Sequence, residues 1–322
     1  MSHMVSSSAI AIIGATTVVG GAICDLLAGA SWPLANVHAL DLADLAGESV
    51  YFGHHELTVG DYHDFDFTQV QAVVICHAAV AHDSDLAREL QQLGLLVVLA
   101  VDDVANCWPQ AVRALHKTVA TTAVALPLPV VSVLAQALLP IQQHTRLRRV
   151  SAVSMEAVSD YGQAGIEELA SQTTALFNQQ PLINDIFPQR MAFNILPLSQ
   201  AEQDQAQQQL AQLLLLTEDN VTVRRHRVPV FFGHTLNVEI ETEMPVDIEA
   251  LCEWWRAAGC VVLAEEALAD ANPMSVTGQD TLTIARINRA ETQKSLLNFW
   301  LCADNVRVAV AKPVLELLAT GQ

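Results

Sequence analysis

Short apolar runs, separated by longer polar or amphipathic stretches, organise the first part of the chain. The run Ala9–Ile13 predicts a buried strand, Gly14–Gly21 a turn, and Ala22–Leu27 the beginning of a helix. Further apolar runs, each followed by polar or helical sequence, predict strands at Val37–Leu40, Ala72–Ile75 and Leu95–Leu99. This alternation is typical of a mostly parallel sheet with helices on both faces. We therefore predict an α/β fold that begins with a Rossmann-type, nucleotide-binding-like domain over residues 1–130.

The pattern changes after residue 130. The helices Gly165–Asn178 and Ala201–Leu216 are predicted there, together with strands at Arg149–Ser154, Val221–Val223, Val228–Phe232 and Leu236–Ile240. The glutamines of the second helix form either a low-complexity run or the solvent-exposed face of an ordinary helix. The apolar residues that follow them favour the helix. We predict an α+β domain over residues 131–306 and a C-terminal segment, 307–322, whose helix returns to the first domain.

One uncharged stretch, Thr118–Ile141, is long enough to cross a bilayer. Three prolines within it, Pro127, Pro129 and Pro140, would break a spanning helix. The stretch also changes near Pro127 from β-branched residues to a helical pattern. It therefore predicts a buried strand, a turn and a buried helix, and no membrane partner.

Composition narrows the range of partners. The chain has 322 residues, 52% of them hydrophobic, and a net charge of -19 from 35 acidic and 16 basic residues. That negative charge repels a phosphate backbone, so nucleic acid is not an expected partner. The six cysteines lie far apart with no CxxC pair, which predicts reduced thiols in a cytoplasmic protein.

Several segments together resemble the aspartate-semialdehyde dehydrogenase family. They occur in the family's order and approximate spacing, at Gly14–Gly20, Glu156–Ser159, Phe187–Asn194, Arg227–His234 and Asp304–Arg307. Within the family the chain resembles the Usg-like homologues, a branch in which catalytic residues are often missing. The resemblance implies a dinucleotide-binding domain, a dimerisation and substrate-like domain, a homodimer, and a label of oxidoreductase in amino-acid biosynthesis.

The resemblance also implies that the catalytic residues have changed. The family's reaction needs a cysteine thiolate at a helix start, and that nucleophile position falls on Pro129. No cysteine lies between Cys107 and Cys252, and Ser132, the nearest hydroxyl, has no evident activating base. His234 falls on the proton-transfer histidine and Arg227 on the arginine that pairs with the substrate carboxylate, although both could equally be exposed polar side chains.

Glu156 replaces a glutamine that orients the substrate in the family. A carboxylate there could pair with Arg227 and occupy its own substrate pocket. The family's phosphate clamp is also lost, because its arginine falls near Trp108 and its lysine near Asp204 or Gln205. Two histidine clusters, His54–Glu56 and His63–Asp64, lack a recognised ligand spacing, so we expect no metal.

The same resemblance places a set of residues at the cofactor site: Gly14, Thr16, Thr17, Gly20, Asp41 and Asn305. Thr17 stands where the family has a glycine that lets the backbone approach the pyrophosphate. Leu42 and Asp44 stand where a Ser/Arg pair grips the 2′-phosphate, so NADP is not expected to bind. Asp41 could accept from a ribose hydroxyl, which would favour NAD, or it could be a solvated loop acid.

These observations lead to three hypotheses. The first is a catalytically inactive homologue that acts by binding a ligand or partner. The second is an oxidoreductase that acts on an aldehyde or oxo group with a nicotinamide dinucleotide, using His234 as base. The third is a sensor for a small carboxylate ligand through Arg227.

Overall fold

The computed structural model of this chain describes residues 8–102, 107–108, 111–115 and 122–320. The chain divides into two compact units. The first consists of Met1–Leu128 and Val310–Gln322, and the second of Pro129–Ala309. The beginning of the uncharged stretch, at Thr118–Thr121, lies outside the described residues.

The first unit contains a seven-stranded sheet and a hairpin. Its strands are β1 Ile10–Ile13, β2 Val37–Asp41, β3 Ser49–Phe52, β4 His55–Thr58, β5 Gly60–Asp61, β6 Ala72–Ile75, β7 Leu96–Leu99, β8 Val112–Arg113 and β9 Ala123–Ala125. The sheet has the order β5-β2-β1-β6-β7-β9-β8 with every pair parallel, and β3 and β4 form the hairpin. Every residue of β1 and β6 is buried, as expected for parallel strands covered on both faces.

The second unit contains a mixed sheet of seven strands. They are β10 Leu147–Glu156, β11 Leu196–Pro197, β12 Val221–Arg227, β13 His234–Thr242, β14 Val261–Val262, β15 Thr283–Arg289 and β16 Leu296–Ala303. Their order is β11-β12-β10-β13-β16-β15-β14. Leu236, Val238 and Ile240 are buried, and Asn237 and Glu239 between them are exposed, so β13 has the predicted single solvated face.

The helices of the described residues follow the sequence pattern closely. They are α1 Val18–Gly29, α2 Ala78–Ala81, α3 Ser84–Leu93, α4 Pro129–Gln142, α5 Gly162–Phe177, α6 Gln200–Leu214, α7 Ile248–Ala257, α8 Pro273–Val276 and α9 Lys312–Thr320. The glutamine-rich helix is α6; it begins with a capping box between Ser199 and Glu202, and Leu210 and Leu214 on it are fully buried. A π-helix, Arg307–Ala311, precedes α9, which packs against α1.

The α/β fold class is therefore confirmed. The predicted turn Gly14–Gly21 is too long, because α1 already begins at Val18, and one predicted strand is wrong. The segment Val228–Phe232 forms no strand. Val228 N still donates to the Glu156 carbonyl and so continues the pairing of β12 with β10 by one bond. Regular pairing ends there because Pro229 lacks a backbone N–H and Val230 N turns back to the Val228 carbonyl. Among the described residues, no helix has the length and apolar character needed to cross a membrane.

Candidate functional site

Two neighbouring strands of the second unit bring charged side chains onto an otherwise apolar face. Along β12, Val221 and Val223 are buried, and Arg225 and Arg227 continue the same face at the period of two. Along β10, the buried residues Val150, Ala152 and Ser154 lead to Glu156 in the same way. Because β10 and β12 are parallel and paired from Val150↔Val221 to Glu156↔Arg227, their charged ends meet at one edge of the sheet.

Glu156 pairs with Arg225. Arg225 Nε donates to Glu156 Oε1 at 2.8 Å and Nη2 donates to Oε2 at 2.7 Å, while Ser154 Oγ also donates to Oε1 at 2.6 Å. The expected pair between Glu156 and Arg227 is wrong, although the register sets these residues opposite each other. The carboxylate reaches diagonally to Arg225, where a guanidinium edge offers two parallel donors.

His234 begins β13 and belongs to a second buried network. Its Nε2 lies 3.0 Å from Asp160 Oδ1, and Asn305 Nδ2 donates to the same oxygen at 2.8 Å. Asn305 Oδ1 in turn accepts from Gly233 N at 2.9 Å. Asn305, which the resemblance placed at the cofactor site, thus serves here to fix Asp160 beside His234.

Arg227 lies close to an aromatic ring and to a carboxylate. The Tyr161 ring centroid is 4.2 Å from Arg227 Cζ, a cation–π arrangement. Arg227 Nη1 is 3.9 Å from Asp160 Oδ2, a distance that is close enough for charge attraction and too long for a hydrogen bond. Within the described part of the chain, Arg227 Nη1, Asp160 Oδ2 and His234 Nδ1 are buried and have no hydrogen-bond partner.

The Asp160 side chain is buried and ionised. Burial alone would raise the pKa of its carboxyl, but His234 and then Arg227 and Arg225 outweigh that effect and hold the pKa at about 2. The carboxylate is therefore charged throughout the neutral range. Asp160 and Glu156 together balance the charges of Arg225 and Arg227.

Glu156, Asp160 and His234 bring ligand-type atoms within 4.8 Å of one another. That proximity could suggest a cation site, contrary to the expectation of no metal. The donor set does not fit one, however, because both Glu156 oxygens accept from Arg225 and Asp160 Oδ1 is shared by His234 and Asn305. A divalent ion there would also lie beside two guanidinium groups, so the cluster is an ion-pair network.

In the first unit, the Gly14–Gly20 loop is held by its own side chains. Thr17 is the N-cap of α1: its Oγ1 accepts from Gly20 N at 3.0 Å and donates to the Gly14 carbonyl at 2.7 Å. Gly14 has φ +87°, and a Cβ there would lie 2.8 Å from His77 N. The positive φ and the close packing of Gly14 against His77 therefore account for this glycine, with no ligand required.

Asp41 ends β2 with its carboxylate fully buried. Its Oδ2 accepts from Thr16 N at 3.1 Å and from Thr16 Oγ1 at 2.6 Å, and its Oδ1 accepts from Leu42 N at 3.0 Å. The interpretation of Asp41 as a solvated loop acid is therefore wrong, because this residue is fully buried. Because both oxygens of Asp41 already accept hydrogen bonds from Thr16 and Leu42, the carboxylate is poorly placed to accept one from a ribose hydroxyl.

Pro129 is the first residue of α4 and is buried. Its fixed φ suits the first helical position, where the missing N–H is not needed. Ser132, one turn further, is fully buried and lies 3.2 Å from Gln136 Nε2. Neither residue presents a nucleophile.

The buried thiols lack the features of a reactive thiolate. Burial raises the pKa of Cys24 and of Cys302 to about 12, and it also raises the pKa of Cys76 and of Cys252. Cys302 pairs with Thr235 across β13 and β16, so it lies on the opposite face of the sheet from His234.

Sequence reasoning missed Arg225, Asp160 and Tyr161. Arg225 did have a signal, since it continues the buried face of β12, where an arginine must find a partner. Asp160 and Tyr161 lie in a short 3-10 turn, Val158–Tyr161, which has no period to indicate where its side chains point.

Comparison with known proteins agrees with this architecture. The family model for the semialdehyde dehydrogenase dimerisation domain matches residues 138–308. A USG-1 protein homolog from Azotobacter vinelandii is 30% identical, with 96% of each chain covered. An aspartate-semialdehyde dehydrogenase from Rickettsia bellii is 27% identical, with 94% of each chain covered.

Among solved structures, aspartate semialdehyde dehydrogenase II from Vibrio cholerae superposes with a TM-score of 0.83 at 23% identity, covering 97% of each chain. That likeness supports the fold. The family model and the relative at 30% identity support the family itself. This chain therefore belongs to the semialdehyde dehydrogenase family, with relatives named both aspartate-semialdehyde dehydrogenase and USG-1 homolog.

Proposed function

We propose that this chain is a catalytically inactive member of the family that acts by binding. The observation that carries the proposal is the start of α4, where Pro129 occupies the position that the family resemblance gives to the nucleophile. The complete sequence has no cysteine between Cys107 and Cys252 to replace it. Without a thiolate, no covalent acyl intermediate can form on this helix.

The electrostatics of the second unit support the same conclusion. His234 and Arg227 occupy the positions of the family's proton-transfer histidine and substrate-binding arginine. Here the His234 ring is hydrogen-bonded to Asp160, and the Arg227 guanidinium lies close to both Asp160 and Tyr161. An incoming substrate carboxylate would meet a negative charge beside the arginine meant to bind it.

The cofactor residues do not fit a dinucleotide in the family's manner. Asp41 is bonded to Thr16 and Leu42, and Thr17 caps α1 with its own hydroxyl. Leu42 and Asp44 offer no cation to a 2′-phosphate. We therefore expect neither NADP nor NAD to bind with useful affinity.

Turnover is the decisive test. Purified protein is incubated with aspartate semialdehyde, phosphate and NADP or NAD, and reduced dinucleotide is followed by absorbance. The Vibrio cholerae enzyme serves as the positive control. We expect no signal above the protein-free blank, and sustained turnover would contradict the proposal.

Dinucleotide binding separates this proposal from the oxidoreductase alternative. Calorimetric titration with NADP and with NAD should give no saturable heat in either case. Saturable NAD binding that is lost in Asp41→Asn would favour an oxidoreductase that uses another substrate.

We also propose that the chain forms a homodimer through its second unit. The family model that it matches is a dimerisation domain, and Val153, Asn237 and Trp300 form one cross-strand row on the outer face of the sheet. Val153 is 39% exposed although its strand is central, which suits a face that a second copy covers.

Light scattering after size exclusion should therefore give twice the mass of one chain. Val153→Glu should shift the population to monomer. Tyr51→Glu, which changes an exposed residue of the β3–β4 hairpin, is the matched control and should remain dimeric. A monomeric parent protein would contradict the homodimer.

A further inference from the structure

We propose that Asp160 is an internal substitute for a small carboxylate. Its side chain occupies a latent anion site formed by Arg227, His234 and Asn305, and that site accepts a free carboxylate of acetate size once the aspartate is removed. The inference goes beyond the loss of catalysis proposed above and does not depend on it.

The donors around Asp160 are those of an anion site. His234 Nε2 and Asn305 Nδ2 both point at Oδ1, at 3.0 and 2.8 Å, and Arg227 Nη1 lies 3.9 Å from Oδ2. All three partners are buried, so the carboxylate is held away from water by a cation, an imidazole and an amide.

The fit of the tethered carboxylate is incomplete. Asp160 Oδ2 and Arg227 Nη1 are both buried, face each other across 3.9 Å, and have no hydrogen-bond partner. An unpaired donor and acceptor in a dry site each cost free energy. The tethered Asp160 carboxylate leaves this 3.9 Å gap open, whereas a carboxylate free of the chain can move towards Arg227 while it keeps His234 and Asn305.

Other charges near the site do not compete for the anion. Arg225 is engaged by Glu156 through two hydrogen bonds. Glu202 also interacts electrostatically with Arg225 and Arg227, but its carboxylate accepts hydrogen bonds from Ser199 at the start of α6. Among the described residues Asp160 is the ion-pair partner of Arg227, and removing it leaves that buried guanidinium without its close anion.

The element that carries Asp160 also covers the site. The Val158–Tyr161 turn supplies both the aspartate and the Tyr161 ring that lies over Arg227. Gly162 directly follows, with φ +63° and ψ −153°, a conformation that is essentially restricted to glycine. The internal anion and its cover are thus consecutive residues that end at a glycine.

Chemical rescue tests the inference. In Asp160→Ala, acetate should raise the melting temperature saturably, by roughly 2 to 5 °C at about ten times its Kd. Acetamide, which has the same shape without the charge, should have no effect, with ionic strength held constant by chloride. The parent protein should not respond to acetate, because Asp160 already fills the site.

Two further variants sharpen the test. Asp85→Ala removes an exposed aspartate that pairs with Arg88, and it should show no acetate effect. Asp160→Ala combined with Arg227→Gln should lose the effect. No saturable rise in Asp160→Ala, an equal rise with acetamide, or a rise that survives Arg227→Gln would overturn the proposal.

If Asp160→Ala does not fold unaided, recovery of soluble protein on refolding becomes the measurement. Acetate, and not acetamide, should then increase the yield, and equal yields would also overturn the proposal. The turnover assay is unaffected by either result, so failure of this inference is distinguishable from failure of the proposed function.

Discussion

The two regions that the family resemblance marks as functional, one in each unit, are stabilised in different ways. The Gly14–Gly20 loop is held by hydrogen bonds from uncharged donors: the Thr16 hydroxyl donates to the Asp41 carboxylate, and Gly20 N in the first turn of α1 donates to the Thr17 hydroxyl. The sheet edge of the second unit is held by two buried charge pairs, Glu156 with Arg225 and Asp160 with Arg227. Loss of a hydrogen bond between uncharged groups lowers the free energy of unfolding by about 1 kcal/mol, whereas a buried charge left without its partner costs several times more. Changes in the second unit should therefore have the larger effects.

The largest effect should come from Arg225→Ala. It leaves Glu156 buried without its guanidinium partner, which typically costs about 3 to 5 kcal/mol. Urea denaturation monitored by tryptophan fluorescence should show this loss of unfolding free energy. Arg224→Ala, an exposed neighbour on the same strand, should change stability by less than about 0.5 kcal/mol. Similar values for the two variants would mean that the buried pair contributes little.

A smaller effect, with a pH signature, should come from Asp160→Asn. The folded carboxyl has a pKa of about 2, below its ordinary 3.8, so its ionised form stabilises the fold at neutral pH by about 2 kcal/mol. That contribution is complete above the unfolded pKa and falls as the pH drops from about 4 towards 2.

The stability difference between the parent and Asp160→Asn should therefore be constant near neutral pH and about half as large near pH 3. Denaturation curves at several pH values measure it. A difference that does not change with pH would show that the charge of Asp160 is not what stabilises the site.

In the first unit, Thr17→Ala should cost about 1 kcal/mol, because it removes the hydroxyl that caps α1. Thr17→Ser keeps that hydroxyl and should recover most of the loss. Thermal denaturation of both variants measures the effect. A loss as large as that of Arg225→Ala would contradict the contrast between the two regions.

The sequence predicted the central strands of the first unit because strands such as β1 and β6 are uninterrupted apolar runs between turns. It did not predict the short strands β5, β8 and β11, which have too few residues to show a pattern. It failed at Val228–Phe232, where β-branched and aromatic residues satisfy strand propensity, but Pro229 has no amide to donate and Val230 N turns back to the Val228 carbonyl. Propensity alone does not show whether a segment finds a pairing partner.

The site was predicted less completely, for a physical reason. Strand patterns indicated that Glu156, Arg227 and His234 would be of interest, but the partners are fixed by register and by a turn. Arg225 is 69 residues from Glu156, and Asp160 is 74 from His234. Which carboxylate meets which arginine depends on distances of a few ångströms that periodicity does not encode.

The most direct test of the central claim, that more than a nucleophile is missing, is turnover of Pro129→Cys. The variant is assayed with aspartate semialdehyde, phosphate and NADP after circular dichroism has shown that it is folded. Because Asp160 occupies the space beside His234 and Arg227 and the Gly14–Gly20 loop is closed by its own side chains, we predict no measurable reduction of NADP. Turnover that depends on the new cysteine and is abolished by alkylating it would contradict this account.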